Sequence, residues 1–211
     1  MKITIFGSTG KTGILLVKQA LAEGHEIVAF TRNPQKIQFT DSKLSVFEGN
    51  SLDAPAVTEA INSSDAVISL IGVNPKSEEF TFYKSMNNIV EAMRKNSVKR
   101  LIFSAGAGVG DPLDKGGFLG KLMTGIIKLV ARNAYEDGLK TADYIRQQED
   151  IDWSMIRVPM LTDKPGGLNQ IRIGYLGVGT GSNISREDMA SFMLKELKAN
   201  AYLQKSPVIS N

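Results

Sequence analysis

A doubly wound α/β sheet in a single domain is the fold this sequence predicts, and three observations predict it. Short apolar, β-branched runs alternate with amphipathic segments along the chain. The first such run reaches its helix through glycines at positions 7, 10 and 13. The 211 residues, 42% of them hydrophobic, suffice for one large core, and nothing suggests two equal domains. Strands separated by helices of this kind pair in parallel. Sheets built so bind ligands at the carboxyl ends of their strands, around the point where strand order reverses.

The elements follow in order. Residues 3–6 form strand one, and residues 14–22 carry the amphipathic pattern of the first helix. Between them, Gly7 permits a tight turn with positive φ, and Gly10 has no Cβ to keep a diphosphate off the backbone. Gly13 lets the helix pack close. The free N–H groups of the first helical turn and the helix dipole make a site for an anion. Gly7, Ser8, Thr9, Gly10, Lys11, Thr12 and Gly13 are therefore candidate dinucleotide contacts; the plain alternative is an ordinary strand–turn–helix corner. Residues 26–30 read as strand two, 44–47 as strand three, 66–71 as strand four, 100–103 as strand five and 153–158 as strand six. Helical patterns cover 54–61, 81–95 and 118–147, the last with a break near Asn133.

The strand ends carry the chemistry. An NAD site usually places an acid after strand two, to accept from the ribose hydroxyls. Here stand Thr31, Arg32 and Asn33, and an arginine can pair with a 2′-phosphate that a carboxylate would repel. Lys36 adds a second positive charge, so the pattern favours NADP(H). After strand three, Asn50 can donate to and accept from an adenine edge, while Asn50 or Ser51 can equally cap the next helix. Strand four ends at Leu70, Ile71 and Gly72, where a glycine suits close approach to a ligand or a simple turn. Strand five is followed by Ser104, the one hydroxyl at that edge, and then by a glycine- and proline-rich stretch that reads as a loop able to close over a substrate. Phe118 to Val130 carry an apolar stripe, a core face or the wall of a flat pocket.

Tyr135 and Lys140 invite comparison with a tyrosine–lysine acid pair, but such a pair needs a helical spacing of four. Their separation of five turns them apart. The lone histidine, His25, precedes strand two at the opposite edge of the sheet from the site, and one histidine without cysteine makes no metal cluster.

Composition excludes several classes. The net charge of +3 is small and dispersed, so nucleic acid is not an expected partner. With no cysteine, disulfide, thiolate and iron–sulfur chemistry are absent. No signal-peptide pattern and no membrane-length apolar run are visible, so a cytoplasmic location, a small-molecule substrate, and a monomer or weak homo-oligomer are the expectations.

Gly7 to Gly13, Thr31-Arg32-Asn33, Gly49-Asn50 and the run Ile151 to Pro159 together resemble the atypical short-chain dehydrogenase/reductases. Within these the chain is most similar to the NAD(P)H-binding branch that includes biliverdin-IXβ reductase (flavin reductase) and the NmrA-like proteins. The resemblance extends to Ser185-Arg186-Glu187-Asp188-Met189-Ala190, where the last helix of such proteins begins. It implies a Rossmann-type domain of residues 1–211, with the 105–135 stretch and 159–211 shaping the substrate side. NADPH would lay its diphosphate on residues 7–13 and its 2′-phosphate on Arg32. Its nicotinamide would lie near Leu70, Ile71 and Gly72, near Ser104, Ala105 and Gly106, and near Val158, Pro159, Met160 and Leu161. The acceptor would be a flavin or a similar flat molecule. The serine common in this branch just past strand five is here Ala105 or Gly106, which leaves Ser104 as the candidate catalytic hydroxyl. Two readings therefore stand open: an NADPH-dependent reductase, of a flat acceptor or of a small carbonyl, and a non-catalytic NADP(H)-binding redox sensor.

Overall fold

The computed structural model describes residues 1–73, 80–115, 131–167 and 171–211. In chain order the first half runs β1 (Lys2–Phe6), α1 (Lys11–Ala22), β2 (Glu26–Thr31), β3 (Leu44–Glu48), α2 (Ala54–Ile61), β4 (Ala66–Ser69) and α3 (Thr81–Lys95). The second half runs β5 (Arg100–Gly106), α4 (Arg132–Arg146), β6 (Asp152–Val158), β7 (Met160–Thr162), β8 (Arg172–Gly174), β9 (Asn183–Ser185), α5 (Arg186–Ala199) and β10 (Val208–Ser210). Eight strands make one sheet in the order β3-β2-β1-β4-β5-β6-β10-β8, and β7 pairs with β9 beside it. All neighbours in the large sheet are parallel except β10 and β8. The order reverses between β1 and β4, so the crevice expected of a doubly wound sheet opens there.

Period-two alternation divides the apolar side chains between the two faces. Ile3, Ile5, Ile27, Ile68, Ile102 and Ile156 pack with residues of α1 and α5. Phe6, Phe30, Val67, Leu101, Phe103 and Met155 pack with residues of α2, α3 and α4. Burying each such side chain contributes about 1.5–3 kcal/mol, which is why both helical layers are held tightly.

The structure corrects several boundaries. β4 stops at Ser69, so Leu70 and Ile71 lie beyond it. β5 does not stop at Phe103: it continues to Gly106 because Ser104, Ala105 and Gly106 pair with Ile156, Arg157 and Val158 of β6. The stretch read as a loop thus begins as strand, and a tight 3-10 turn at Ala107–Val109 follows. β7 to β10, three residues each, are too short to show alternation in a sequence. Of the long helical pattern at 118–147, α4 is described from Arg132; the apolar stripe at 118–130 lies outside the described residues.

Candidate functional site: a three-chambered cleft at the strand ends

The glycine turn is built as the spacing requires. Gly7 has φ +75°, and a Cβ there would meet the Leu70 carbonyl carbon at 2.9 Å. A Cβ on Gly13 would lie 2.2 Å from the Gly7 carbonyl oxygen, so only glycine lets α1 approach the turn. A Cβ on Gly10 would meet nothing nearer than that same oxygen at 3.4 Å, which means Gly10 faces open space. Gly10 caps α1 without any side-chain hydrogen bond, leaving first-turn N–H groups free for an anion. Ser8 departs from expectation. It is fully buried and its hydroxyl donates to the Phe30 carbonyl at 2.9 Å, tying the turn to β2 rather than facing the cleft.

Three adjoining cavities follow the carboxyl edge. The first, about 390 Å³, is lined by Gly7, Thr9 and Gly10, by Thr31, Arg32, Asn33 and Lys36, by Asn50 and Ser51, and by Leu70, Ile71 and Gly72. Arg32 is exposed and its side chain makes no hydrogen bond or ion pair with any described residue, and the same holds for the side chain of Lys36, whose N–H donates to the Asn33 carbonyl. Two cations thus stand uncommitted at one end of the groove. The Thr31 hydroxyl shapes the bend before them, at 3.1 Å from the Thr9 hydroxyl and accepting from the Asn33 N–H at 3.0 Å. Neither Asn50 nor Ser51 caps α2; Asp53 does, accepting from the Ala56 N–H. Asn50 instead accepts from the Leu52 N–H, and the Ser51 hydroxyl pairs with that of Ser85 at 2.8 Å.

The second cavity, about 270 Å³, lies at the start of α1 and is lined by Gly7, Gly10, Lys11, Thr12, Gly13, Leu70, Ser104, Leu161, Arg186 and Met189. Arg186 and Met189 come from α5, nearly the whole chain away from the glycines. Ser185 caps that helix, its hydroxyl accepting from the Asp188 N–H at 3.0 Å.

The third cavity, about 430 Å³, is mostly apolar and is lined by Leu70, Gly72, Val73, Phe82, Ala105, Gly106, Val109, Val158 and Leu161, with Ser104 and Tyr135 among its polar groups. Leu70, Ser104 and Leu161 border the second and third cavities alike, so the two are continuous. Tyr135, from α4, reaches the same chamber as Ser104. Lys140 does not: its ammonium sits 4.3 Å from the Phe80 ring centre and 4.2 Å from that of Tyr83. The five-residue spacing therefore separates the two side chains. Pro159 and Met160 line none of these chambers, and Met160 is 69% exposed. They precede and open β7, which pairs with β9 and turns Leu161 to the cleft while leaving Met160 on the outside.

Two carboxylates, Asp137 buried and Asp114 partly so, hold the walls. Asp137 of α4 accepts from the N–H groups of Phe82 and Tyr83 at 2.9 and 2.8 Å, fixing the start of α3 against α4. Asp114 holds Arg157, which is fully buried, through paired contacts of 2.7 and 2.8 Å. Asp114 also takes N–H groups from Asp111 and Leu176, while the Arg157 Nε donates to the Ser206 carbonyl at 2.6 Å. The stretch after β5 is thereby anchored to the far edge of the sheet. Burial alone would raise the Asp114 carboxyl, but the Arg157 guanidinium and the backbone donors hold it below its ordinary value.

His25 is buried beside Glu23 at the amino end of β2, where desolvation pushes its imidazole down. Among the described residues no cluster of three His, Asp or Glu could hold a metal ion, and no helix is long and apolar enough to cross a membrane.

A reversed parallel sheet, a glycine turn under an uncapped helix and a cleft along the strand ends define a dinucleotide-binding α/β domain. A family of NAD(P)H-binding domains matches residues 7–200, and the chain belongs to it. The chain is 32% identical over 108 residues to the uncharacterized protein YwnB of Bacillus subtilis, covering 51% of this chain and 48% of YwnB. It is 24% identical over 182 residues to oxidoreductase tpcG of Aspergillus fumigatus, covering 80% of this chain and 66% of that protein. The chain thus spans about half the length of the first relative and just under two thirds of the second. Among solved structures, a short-chain dehydrogenase/reductase from Veillonella parvula in complex with NADP superposes with a TM-score of 0.83 at 16% identity, over 100% of this chain and 94% of that one. That likeness fixes the Rossmann-type fold, and the family makes the chain an NAD(P)H-binding protein.

Proposed function

We propose that the protein is an NADPH-dependent reductase of a flat, largely apolar acceptor of the flavin type. The observation that carries this reading is the continuity of the cleft: two unpartnered cations at one end, an open glycine cradle in the middle and an apolar chamber at the other. Arg32 and Lys36 suit a 2′-phosphate, and the uncapped start of α1 with Gly10 suits a diphosphate. The NADP complex of the Veillonella structure lends support to that choice of cofactor. When bound, NADPH supplies a hydride, which a stacked ring accepts if distance and orientation are right.

The chain's residues then have three tasks. Leu70, Leu161 and Val158 exclude water from the reacting faces, Gly72 and Gly106 leave room for a flat ring, and Ser104 seats a polar group at the junction of two chambers. A Cβ on Gly72 or Gly106 would meet no atom within 4 Å, so both border open space. A flavin takes its proton from water, so no protein acid is required.

A second reading, reduction of a small carbonyl, is favoured by one observation: Tyr135 and Ser104 line the same chamber. Turnover of NADPH with FMN or FAD, against simple ketones and aldehydes, separates the two. On the flavin reading, Ser104→Ala, Tyr135→Phe and Lys140→Ala each stay within about tenfold of the parent, because general acid–base groups contribute about a hundredfold or more where they act. A thousandfold loss from Tyr135→Phe alone would point to the carbonyl. NADPH binding without turnover of any acceptor would leave the protein a sensor.

A further inference from the structure

The middle chamber holds a charge arrangement that the glycine turn does not explain. Lys11 and Arg186 line it, and among the described residues no carboxylate does. Both cations are nevertheless paired, and to the same acid. Asp163, just past β7, accepts from the Lys11 ammonium at 2.8 Å through one oxygen and from the Arg186 guanidinium at 2.6 Å through the other. Asp163 is delivered to this rim by the turn that follows it. The Gly166 N–H donates to the Glu187 carboxylate at 2.9 Å and the Gly167 N–H to the Asp188 carboxylate at 2.6 Å, both from the first turn of α5. The same turn of α5 carries Arg186, whose side chain is 21% exposed against 72% for Lys11 and 62% for Asp163.

One exposed carboxylate thus neutralises two cations that border a chamber containing a glycine cradle and free helix N–H groups. A diphosphate offers two negative charges to the same cations. We propose that Arg186, together with Lys11, is a ligand of the cofactor diphosphate, and that Asp163 is the internal counter-anion these cations surrender when the dinucleotide enters. The inference rests on the dinucleotide reading given above and deepens it. It predicts a cost to binding that the protein builds in: each cation must leave a formed ion pair, so affinity is set by a competition between carboxylate and diphosphate. It also predicts that Arg186 does not discriminate between cofactors, because the diphosphate is common to NADH and NADPH.

The experiment titrates NADPH, NADH and 2′-AMP against the parent, Arg186→Gln, Arg186→Lys and Asp163→Asn, with thermal unfolding to show that each variant is folded. Arg186→Gln should weaken NADPH and NADH alike, by roughly three- to tenfold for a partly exposed charge-assisted contact, and leave 2′-AMP unchanged. Arg186→Lys should recover part of the loss. Asp163→Asn should tighten both dinucleotides by about two- to fivefold, because the competitor is gone. The opposite signs are decisive: an ion pair that merely braced the rim would make both variants err in the same direction, and that result would overturn the proposal. So would an Arg186→Gln protein that binds NADPH as the parent does. A parent that binds neither NADPH nor 2′-AMP would instead bring down the dinucleotide reading itself.

Discussion

Removing the Arg32 guanidinium should separate the two nicotinamide cofactors. The Arg32 side chain makes no hydrogen bond or ion pair with any described residue, so Arg32→Ala should change the stability of the free protein by no more than about 0.5 kcal/mol. In the complex, a charge-assisted contact to phosphate is worth about 1.5–3 kcal/mol, and a single exposed ion pair less than about 1 kcal/mol. Arg32 is exposed, yet it lines a groove with Lys36 that concentrates positive charge, so the expected loss lies between, at about 1–2 kcal/mol. That is roughly a five- to thirtyfold weakening for NADPH. NADH has no 2′-phosphate and should bind the variant as it binds the parent. Fluorescence titration with both cofactors measures this directly, and adding Lys36→Ala should remove what preference remains. Equal affinity of the parent for NADPH and NADH, or an equal loss of both in the variant, would refute the placement of the phosphate.

The glycine turn offers a paired test. Gly10→Val should fold and lose dinucleotide binding, since its side chain would enter open space that the diphosphate needs, whereas Gly13→Ala should lower the melting temperature, since its Cβ would strike the Gly7 carbonyl oxygen at 2.2 Å. Calorimetry distinguishes loss of binding from loss of fold. Asp114→Asn should destabilise by about 3–5 kcal/mol, because it strands the buried Arg157 guanidinium. Asp150→Asn should cost less than about 1 kcal/mol, although the hydrogen bond from Arg94 holds that carboxyl down at about 2, because the pair is exposed and screened. The folded Asp114 carboxyl lies below its unfolded value of 3.8, so its contribution is complete above that value and disappears as pH falls through the lower folded one. Acid unfolding of the parent should therefore steepen below about pH 4, and Asp114→Asn should flatten the curve there.

Local chemistry was legible in the sequence and distant juxtaposition was not. Gly7, Gly10 and Gly13 act within one turn, so their spacing alone announces the cradle. Arg32 follows its strand directly, so the strand's end places it. Arg186 reaches the cleft through the packing of α5 on α1, and Asp163 reaches its rim through the turn after β7 that α5 holds, juxtapositions that no window of sequence contains. Ser104 to Gly106 read as loop because glycine disfavours strands, yet pairing with β6 outweighs that local preference. Ser51 read as a cap by residue type, but Asp53 sits where the N–H of Ala56 can be reached. The five-residue spacing of Tyr135 and Lys140 bears on a pair and not on whether the Tyr135 ring alone reaches the chamber.

Among the described residues, the two apolar cores on opposite faces of the sheet have no buried side chain in common. Phe82, Ala105 and Val109, which wall the apolar chamber, belong to the face covered by α2, α3 and α4. Met189, which lines the chamber beneath the glycine turn, belongs to the face covered by α1 and α5. Substitutions on separate faces that touch no common residue have effects on stability that add rather than compound. A lineage can therefore remodel the part of the acceptor wall made by Phe82, Ala105 and Val109 while the layer beneath the glycine turn stays as it was inherited; Leu70, Val158 and Leu161, which wall the same chamber, pack with that layer. Divergence in what is bound at one end need not be bought with losses at the other.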